Sequence, residues 1–429
     1  MMHDQTILSK DFILVAIGRI VSAFGNQILR YALPLYLLIQ TGSSALFGSI
    51  LAAAFIPMIL MFPIGGIIAD RLNKRNIMLV LDFCTAILIS LFCLLSGKTD
   101  IVPLMAITMI ILYGLDGADR PTVKASIPAL VGEKHIMKAN SIIDMVDSTA
   151  SMAGPVTGGL LFAAFGLMPI LYISIGCFFA SVVMDIFIHI PFEKRATTGN
   201  IFATGMNDLK ASFRFMLRTQ PVLWKISLVF AASNLLLTSL ILIGLPVIVT
   251  QRLGFAPDIA TRLYGYAQGV LAAGAILGGF LAGVLSGKLK SKAGSILLMG
   301  CSLCIIVVGA TLQIFTASMV NYIVLIVGCG ALLTIHTIFQ IQMMTYLQIL
   351  TPKDLVGKII SCFMLVVMGT MPLGQVIYGF AFEHMGRSIY ILFYVAGFIM
   401  VGIGILTRRI FYGIDDQIED QTRRRVTNK

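Results

Sequence analysis

The stretch Gly65-Gly66-Ile67-Ile68-Ala69-Asp70-Arg71-Leu72-Asn73-Lys74-Arg75-Asn76 decides how this chain folds. Before it runs 46–64, apolar and uncharged; after it comes 77–97, apolar except for Asp82. Each flank is long enough to cross about 30 Å of hydrocarbon as a helix. The stretch therefore reads as a tight turn between two membrane helices, held on the cytoplasmic side by Arg71, Lys74 and Arg75. Paired glycines let helix backbones approach closely, and Asp70 is placed to cap or face a neighbouring helix N-terminus. A charged hairpin that fixes topology accounts well for Lys74 and Arg75. Gly65 and Gly66 with Asp70 and Arg71 read instead as a conformational latch, because the same frame recurs later.

Composition agrees with a chain dissolved in lipid. Of 429 residues, 58% are hydrophobic and 12% charged, with a mean hydropathy of +0.94; soluble proteins carry roughly 25% charged residues. A net charge of +11 would indicate nucleic acid on a soluble domain, but no segment is long enough to be one. The expected surroundings are the lipid bilayer, with no nucleic acid. All seven cysteines lie in apolar segments. Cys301-x-x-Cys304 has metal-like spacing without a nearby His or acid to complete a site. The first apolar segment contains Arg19 and Arg30 and lacks a small-residue cleavage site, so it reads as a retained span.

Twelve apolar segments follow in order: 12–38, 46–68, 77–97, 101–121, 140–165 and 169–190, then 222–249, 263–286, 294–316, 319–347, 359–382 and 388–407. The expected fold is an all-α integral membrane protein of two six-helix bundles, 1–190 and 222–410. A cytoplasmic linker, 191–221, joins them, and a cytoplasmic tail, 411–429, follows, polar and disordered from Asp415. With the N-terminus inside, only Lys98, Arg252, Arg262 and Arg387 of the 31 lysines and arginines fall outside, and Arg19 and Arg30 lie within the first span. Both termini are therefore expected on the cytoplasmic side of the cell membrane.

The two halves repeat. One constant offset carries Pro34 and Gly42 onto Pro246 and Gly254. An offset one residue longer carries Gly65-Gly66-x-x-Ala69-x-x-Leu72 onto Gly278-Gly279-x-x-Ala282-x-x-Leu285. A third carries Leu130, Lys138, Ser141, Gly154, Gly159, Phe162 and Gly166 onto Leu350, Lys358, Ser361, Gly374, Gly379, Phe382 and Gly386. Parallel repeats of this kind suit an alternating-access carrier with its site between the halves.

Polar residues inside spans mark the candidate chemistry. Arg19, Ser22, Asn26 and Arg30 fall on one face of the first span. Arg19 reads as an ion-pair anchor, and Asn26, Gln27 and Arg30 as lining of a cavity. Asp82, Asp116, Asp119, Asp144, Asp147 and Asp185 lie in the inner third to half of the membrane. Ion pairing explains Asp185, and Asp119 with Arg120. Asp82 and Asp144, then Asp116 and Asp147, are the proton-coupling candidates, since a carboxylate that alternates between wet and dry surroundings exchanges a proton as it does so. The second half offers Asn234, Thr238, Gln268, His336, Gln340 and Gln375 among Met and Phe as further cavity lining. Acids on one wall and soft apolar groups on the other suit amphipathic molecules, cationic ones included. Gly154, Pro155, Gly158 and Gly159 form a helix-packing motif in the fifth span. No catalytic constellation, ligand set for a metal, or phosphate-binding loop is present in the sequence, so neither enzyme activity nor a cofactor is expected.

The turn Gly66, Asp70, Arg71, Lys74 and Arg75 resembles the signature between helices two and three of the major facilitator superfamily, and Gly154-Pro155-x-x-Gly158-Gly159 resembles the fifth-helix motif of its exporters. Gly18-Arg19-x-x-Ser22-x-x-Gly25-Asn26 and Ile127-Pro128-x-Leu130-Val131 are similar to the macrolide-efflux and siderophore-exporter branch. Asn26 stands where that branch often has Asp, and Ile110 where drug/proton antiporters carry an intramembrane Arg. The resemblance implies a monomeric exporter of drug-like small molecules, a multidrug or macrolide antiporter working against protons. A siderophore, lysolipid or metabolite would be an alternative cargo on the same scaffold. A polytopic enzyme or a channel is the reading from a different class.

Overall fold

The turn that decides the fold is two residues long. In the computed structural model, α2 (Ser44–Arg71) ends at Arg71, Leu72 is extended, and the Asn73 side chain caps α3 (Lys74–Leu95) by accepting from the Arg75 N–H at 3.1 Å. The structure describes residues 9–132, 135–190, 210–285, 292–352, 355–386 and 388–427, excepting the side chains of 67, 70, 357 and 409–427. The side chain of Asp70, residues 191–209 of the linker, and Lys134, Lys288, Lys290, Lys353 and Arg387 thus lie outside the described residues.

Ten more long helices complete the described chain. They are α1 (Lys10–Thr41), α4 (Ile101–Leu130), α5 (Ile136–Phe165), α6 (Leu167–Ile186), α7 (Pro221–Arg252), α8 (Pro257–Leu285), α9 (Ala293–Ile314), α10 (Ser318–Leu350), α11 (Val356–His384) and α12 (Tyr390–Thr427). Among the described residues, 11 helices are long and apolar enough to cross a membrane. The twelfth, α5, is 30 residues long and carries Lys138, Asp144 and Asp147. No strand occurs among the described residues, and the twelve-helix membrane fold expected from the sequence is what forms.

α3 shows the logic by which charge is turned inward. Val80, Phe83, Ile87, Leu91 and Leu94 form an exposed apolar stripe at helical spacing, suited to lipid. Met78, Asp82, Thr85, Ala86, Ile89 and Phe92 occupy the buried face. The helix is apolar on both faces, and its one carboxylate goes where protein, not hydrocarbon, surrounds it.

Three helix ends differ from expectation. α4 continues nine residues past the end expected at 121, straight through Pro121. The hydroxyl of Thr122 donates to the Ala118 carbonyl at 2.8 Å, next to the Gly117 carbonyl that the proline leaves without an N–H. The extension buries Val123, Ile127 and Leu130 against Phe12, Met78, Ile143 and Ile188. α7 is continuous but contains π-helical turns at Asn234–Thr238 and Ile248–Arg252. The tail expected to be disordered from Asp415 is helical to Thr427. Its sequence has no Gly or Pro after Gly413 and places Glu419 and Asp420 four residues before Arg423 and Arg424, a spacing that supports a solvated helix.

The chain divides into two compact units, Met1–Thr198 with Phe255–Gly269, and Gly199–Gly254 with Val270–Lys429. The opening turns of α8 thus cluster with the first unit. Within each unit the duplicated residues do duplicated work. Gly42 and Gly254 both adopt the left-handed conformation, at φ +64° and +71°. In α2, a Cβ on Gly65 would meet the Ala118 backbone at 2.7 Å, while Gly66 faces open space. In α8, a Cβ on Gly278 would meet the Thr334 carbonyl at 2.5 Å, while Gly279 faces open space. Of each glycine pair, only the first makes the close helix crossing.

Gly65→Ala is accordingly expected to destabilise the protein by about 1–3 kcal/mol through overpacking, with Gly66→Ala nearly neutral. Thermal melting in detergent checks this. Equal effects from the two would remove the α2–α4 crossing as the reason for the glycine pair.

Candidate functional site

Arg19 ties three helices of the first unit together. It is only 6% exposed, and its Nε donates to Asp147 Oδ1 of α5 at 2.7 Å. Its Nη1 pairs with Asp119 Oδ2 of α4. The anchor role expected for Arg19 is what the structure shows, with a partner that sequence proximity concealed. The expected pairing of Asp119 with Arg120 does not occur. Adjacent residues on a helix point in different directions, so Asp119 turns to Arg19, and Arg120 Nε approaches Asp116 Oδ2 at 3.8 Å.

Farther along the same face of α1, Arg30 Nη1 donates to Asp116 Oδ2 at 2.6 Å and Asn26 Nδ2 to Asp116 Oδ1 at 2.5 Å. The Arg30 guanidinium lies 4.3 Å from the centre of the Tyr113 ring. Asp116 is thus bonded on both oxygens. Tyr113, one turn before it, was missed in the sequence reading, although its spacing from Asp116 was available. Gln27 is partly buried and lies beside Gly154.

Between Arg19 and Asn26 lies a polar cavity of about 20 Å³, room for roughly one water. Asp82, Asp116 and Asp119 reach it from α3 and α4. Asp82 is 8% exposed. Among the described residues no base lies within ion-pair distance of it. Asp144 differs from Asp82: its carboxylate is 56% exposed and pairs with Lys124 Nζ at 2.8 Å. Asp144 and Asp147 line a second, larger cleft of about 410 Å³. Asp185 is buried with Oδ2 unpartnered. The expected ion pair for Asp185 is not formed by its carboxylate; instead Arg75 donates to the carbonyls of Asp185 and Ile186, the last two residues of α6. Arg75 thereby closes the C-terminal end of that helix.

The small-residue motif of α5 lies against α1. A Cβ on Gly154 would meet that of Gln27 at 2.5 Å, and one on Gly159 would meet Gly265 Cα at 2.7 Å. Tyr31 and Tyr264 stack with ring centres 5.1 Å apart, and Gln268 donates to the Tyr264 hydroxyl at 2.8 Å. Gln268, expected with the second-half residues, belongs to the first unit by this packing.

In the second unit the polar candidates gather at the α7 π-turn. His336 Nε2 lies 3.1 Å from Ser233 Oγ, and Asn234 Nδ2 donates to the Phe230 carbonyl at 3.1 Å. Ala231 and Leu236 carbonyls receive the hydroxyls of Thr370 and Tyr378 from α11. Gln375 is fully buried, and neither of its amide atoms has a partner among the described residues. Thr238 and Gln340 are partly exposed. Cys301 directs its thiol to the Leu332 carbonyl.

Removing Arg19 leaves Asp119 and Asp147 without the cation they share. Arg19→Gln is expected to cost about 3–5 kcal/mol, and adding Asp119→Asn to restore part of that. Melting of the single and double variants in detergent measures the coupling; additive losses would contradict the pairing.

A family model described as Major Facilitator Superfamily matches residues 15–374. MFS-type transporter YfiS of Bacillus subtilis (strain 168) is 24% identical over 422 residues, covering 93% of this chain and 92% of its own. Enterobactin exporter EntS of Shigella boydii serotype 4 (strain Sb227) is 25% identical over 354 residues, 81% of this chain and 79% of that one. Macrolide efflux protein A of Streptococcus pyogenes is 25% identical over 182 residues, 42% of this chain and 45% of that one. The fold superposes on a crystal structure of peptide transporter POT in complex with alafosfalin with a TM-score of 0.74 at 12% identity, covering 96% of each chain. With twelve long helices, a duplicated glycine framework and a family match over most of its length, the chain belongs to the major facilitator superfamily.

Proposed function

We propose that this multi-pass membrane transporter exports amphipathic organic molecules, macrolide-like or drug-like, by alternating access coupled to proton entry. The bundles 1–190 and 222–410 are the two rocking bodies, both termini are cytoplasmic, and a monomer is the working unit. The similarity to a macrolide efflux protein and to an enterobactin exporter supports export. The longer match to the latter keeps a siderophore-like cargo as the second reading.

Asp82 carries the proton reading. Asp82, Asp116, Asp119, Asp144, Asp147 and Asp185 outnumber Arg19, Arg30, Arg120 and Lys124 by two. A buried carboxylate without a base must take up a proton or gain water. Asp82 and Asp185 are the members of this group with no ion pair among the described residues, and of the two it is Asp82 that opens on a cavity of about 20 Å³. Proton arrival there removes one negative charge beside Arg19 and Asp119 and so changes the balance of attraction and repulsion in this layer. α1, α4 and α5, which the layer joins, then shift against one another. Asp116, Asp144 and Asp147, each already paired, would take part through the same network.

The latch residues Gly65, Gly66, Asp70, Arg71, Lys74 and Arg75 set the cytoplasmic end of this movement, with Arg75 holding the end of α6 in one state. Asn26, Gln27, Arg30, Asn234, Thr238, Gln268, His336, Gln340 and Gln375 are the polar residues proposed to meet cargo as the bundles open. Gly154, Pro155, Gly158 and Gly159 supply the close, bent crossing about which α5 turns.

Inside-out vesicles supplied from the outside medium with a panel of labelled macrolides, dyes and lysolipids test the whole reading. Wild-type protein is expected to accumulate at least one compound in response to a pH gradient. Asp82→Asn is expected to abolish gradient-driven accumulation while exchange of labelled for unlabelled compound continues. Accumulation at the wild-type level in Asp82→Asn removes this residue as the coupling site.

A further inference from the structure

The larger cleft of the first unit holds a guanidinium, that of Arg120, for which the described residues supply one long ion pair and no hydrogen bond to its Nε. Arg120, Pro121 and Lys124 of α4 line one side, Asp144, Asp147, Ser148 and Ser151 of α5 the other, and Phe62 of α2 an end. At about 410 Å³ it has the size of an organic-ligand site.

Its carboxylates are already engaged. Asp147 is bonded to Arg19 at 2.7 Å and Asp144 to Lys124 at 2.8 Å. Asp116, the acid nearest to Arg120, has one oxygen on Arg30 and the other on Asn26. Arg120 therefore stands 3.8 Å from a carboxylate that already accepts two shorter bonds. Its buried Nε has no hydrogen-bond partner among the described residues, although the side chain is 41% exposed. Lys124 makes one ion pair and has two further donors. On the facing wall, the hydroxyls of Ser148 and Ser151 donate to the carbonyls of Asp144 and Ser148. Their oxygens are left as acceptors.

Taking export of amphiphiles as the premise, we propose that this cleft receives an acidic head group of the cargo, a carboxylate or phosphate, on Arg120 and Lys124. The guanidinium fork matches two oxygens of such a group at once. The serine oxygens suit hydroxyl or amide hydrogens next to it, and Phe62 the start of an apolar body. A cationic head group would meet only carboxylates that already hold a base, Asp144 with Lys124 and Asp147 with Arg19, which favours the opposite sign to the one expected from the number of acids in the sequence.

The test uses the full chain in phosphatidylcholine nanodiscs and three fluorescent probes with one tail: 11-(dansylamino)undecanoic acid, its methyl ester and the matching primary amine. The acid is expected to bind most tightly. Arg120→Gln should weaken the acid by roughly tenfold or more and leave the ester unchanged, with Arg120→Lys recovering part of the loss. Equal binding of all three probes by wild-type protein overturns the acidic head group, with no variant needed. It leaves amphiphile export standing if the ester is still moved in vesicles. Binding of none of the three overturns both. Repeating the measurement in phosphatidylglycerol nanodiscs identifies the source of the acid. Loss of probe binding there assigns the cleft to a lipid head group, and undiminished binding assigns it to free cargo.

Discussion

A charge held inside a membrane protein has to be matched by its neighbours, because hydrocarbon offers nothing to replace the water it gave up. Arg19 is where this constraint acts most strongly in the chain. One guanidinium on α1 draws Asp119 from α4 and Asp147 from α5, so the positions of three helices depend on a single side chain. Arg30 and Asn26 repeat the device farther along with Asp116. Such pairs add little net stability compared with apolar packing. What they add is a state that changes when one charge is neutralised, and in a transporter that sensitivity is useful.

The two units solve their packing with different chemistry on a shared framework. Turn glycines, close crossings and even the contact of Gly154 with Gln27 have counterparts in the second unit, where Gly374 packs on Ser239. The ionisable layer described for the first unit gives way in the second to hydroxyls, amides and a histidine around a π-turn. That turn leaves carbonyls of α7 to be met by Thr370 and Tyr378 of α11. One half thus carries the charges described here and the other a polar but neutral junction.

Much of this was legible from residue order alone. Helix number, the hairpin at Leu72 and Asn73, and the paired glycine frames follow from spacing, which any helix converts directly into position. Pairing across helices is not encoded that way. Asp119 sits beside Arg120 in the chain yet bonds to Arg19, 100 residues away in sequence, because a helix turns neighbours apart. The Asp82 side chain could be placed inside a membrane but not in a cavity until α3 was seen to turn its apolar stripe outward. The polar end of α12 read as disordered because low hydropathy was weighed above its run of helix-compatible residues.

The two-residue connection between α2 and α3 has a mechanical consequence. Two residues span at most about 7 Å, so the tips of these helices at the turn are tethered and must travel as one lever. Any change in the angle between them has to open at the far ends, around Ser44 and Leu95, across the membrane. A small displacement where Arg75 grips α6 would be multiplied over the whole length of the pair, as a short handle swings a long gate.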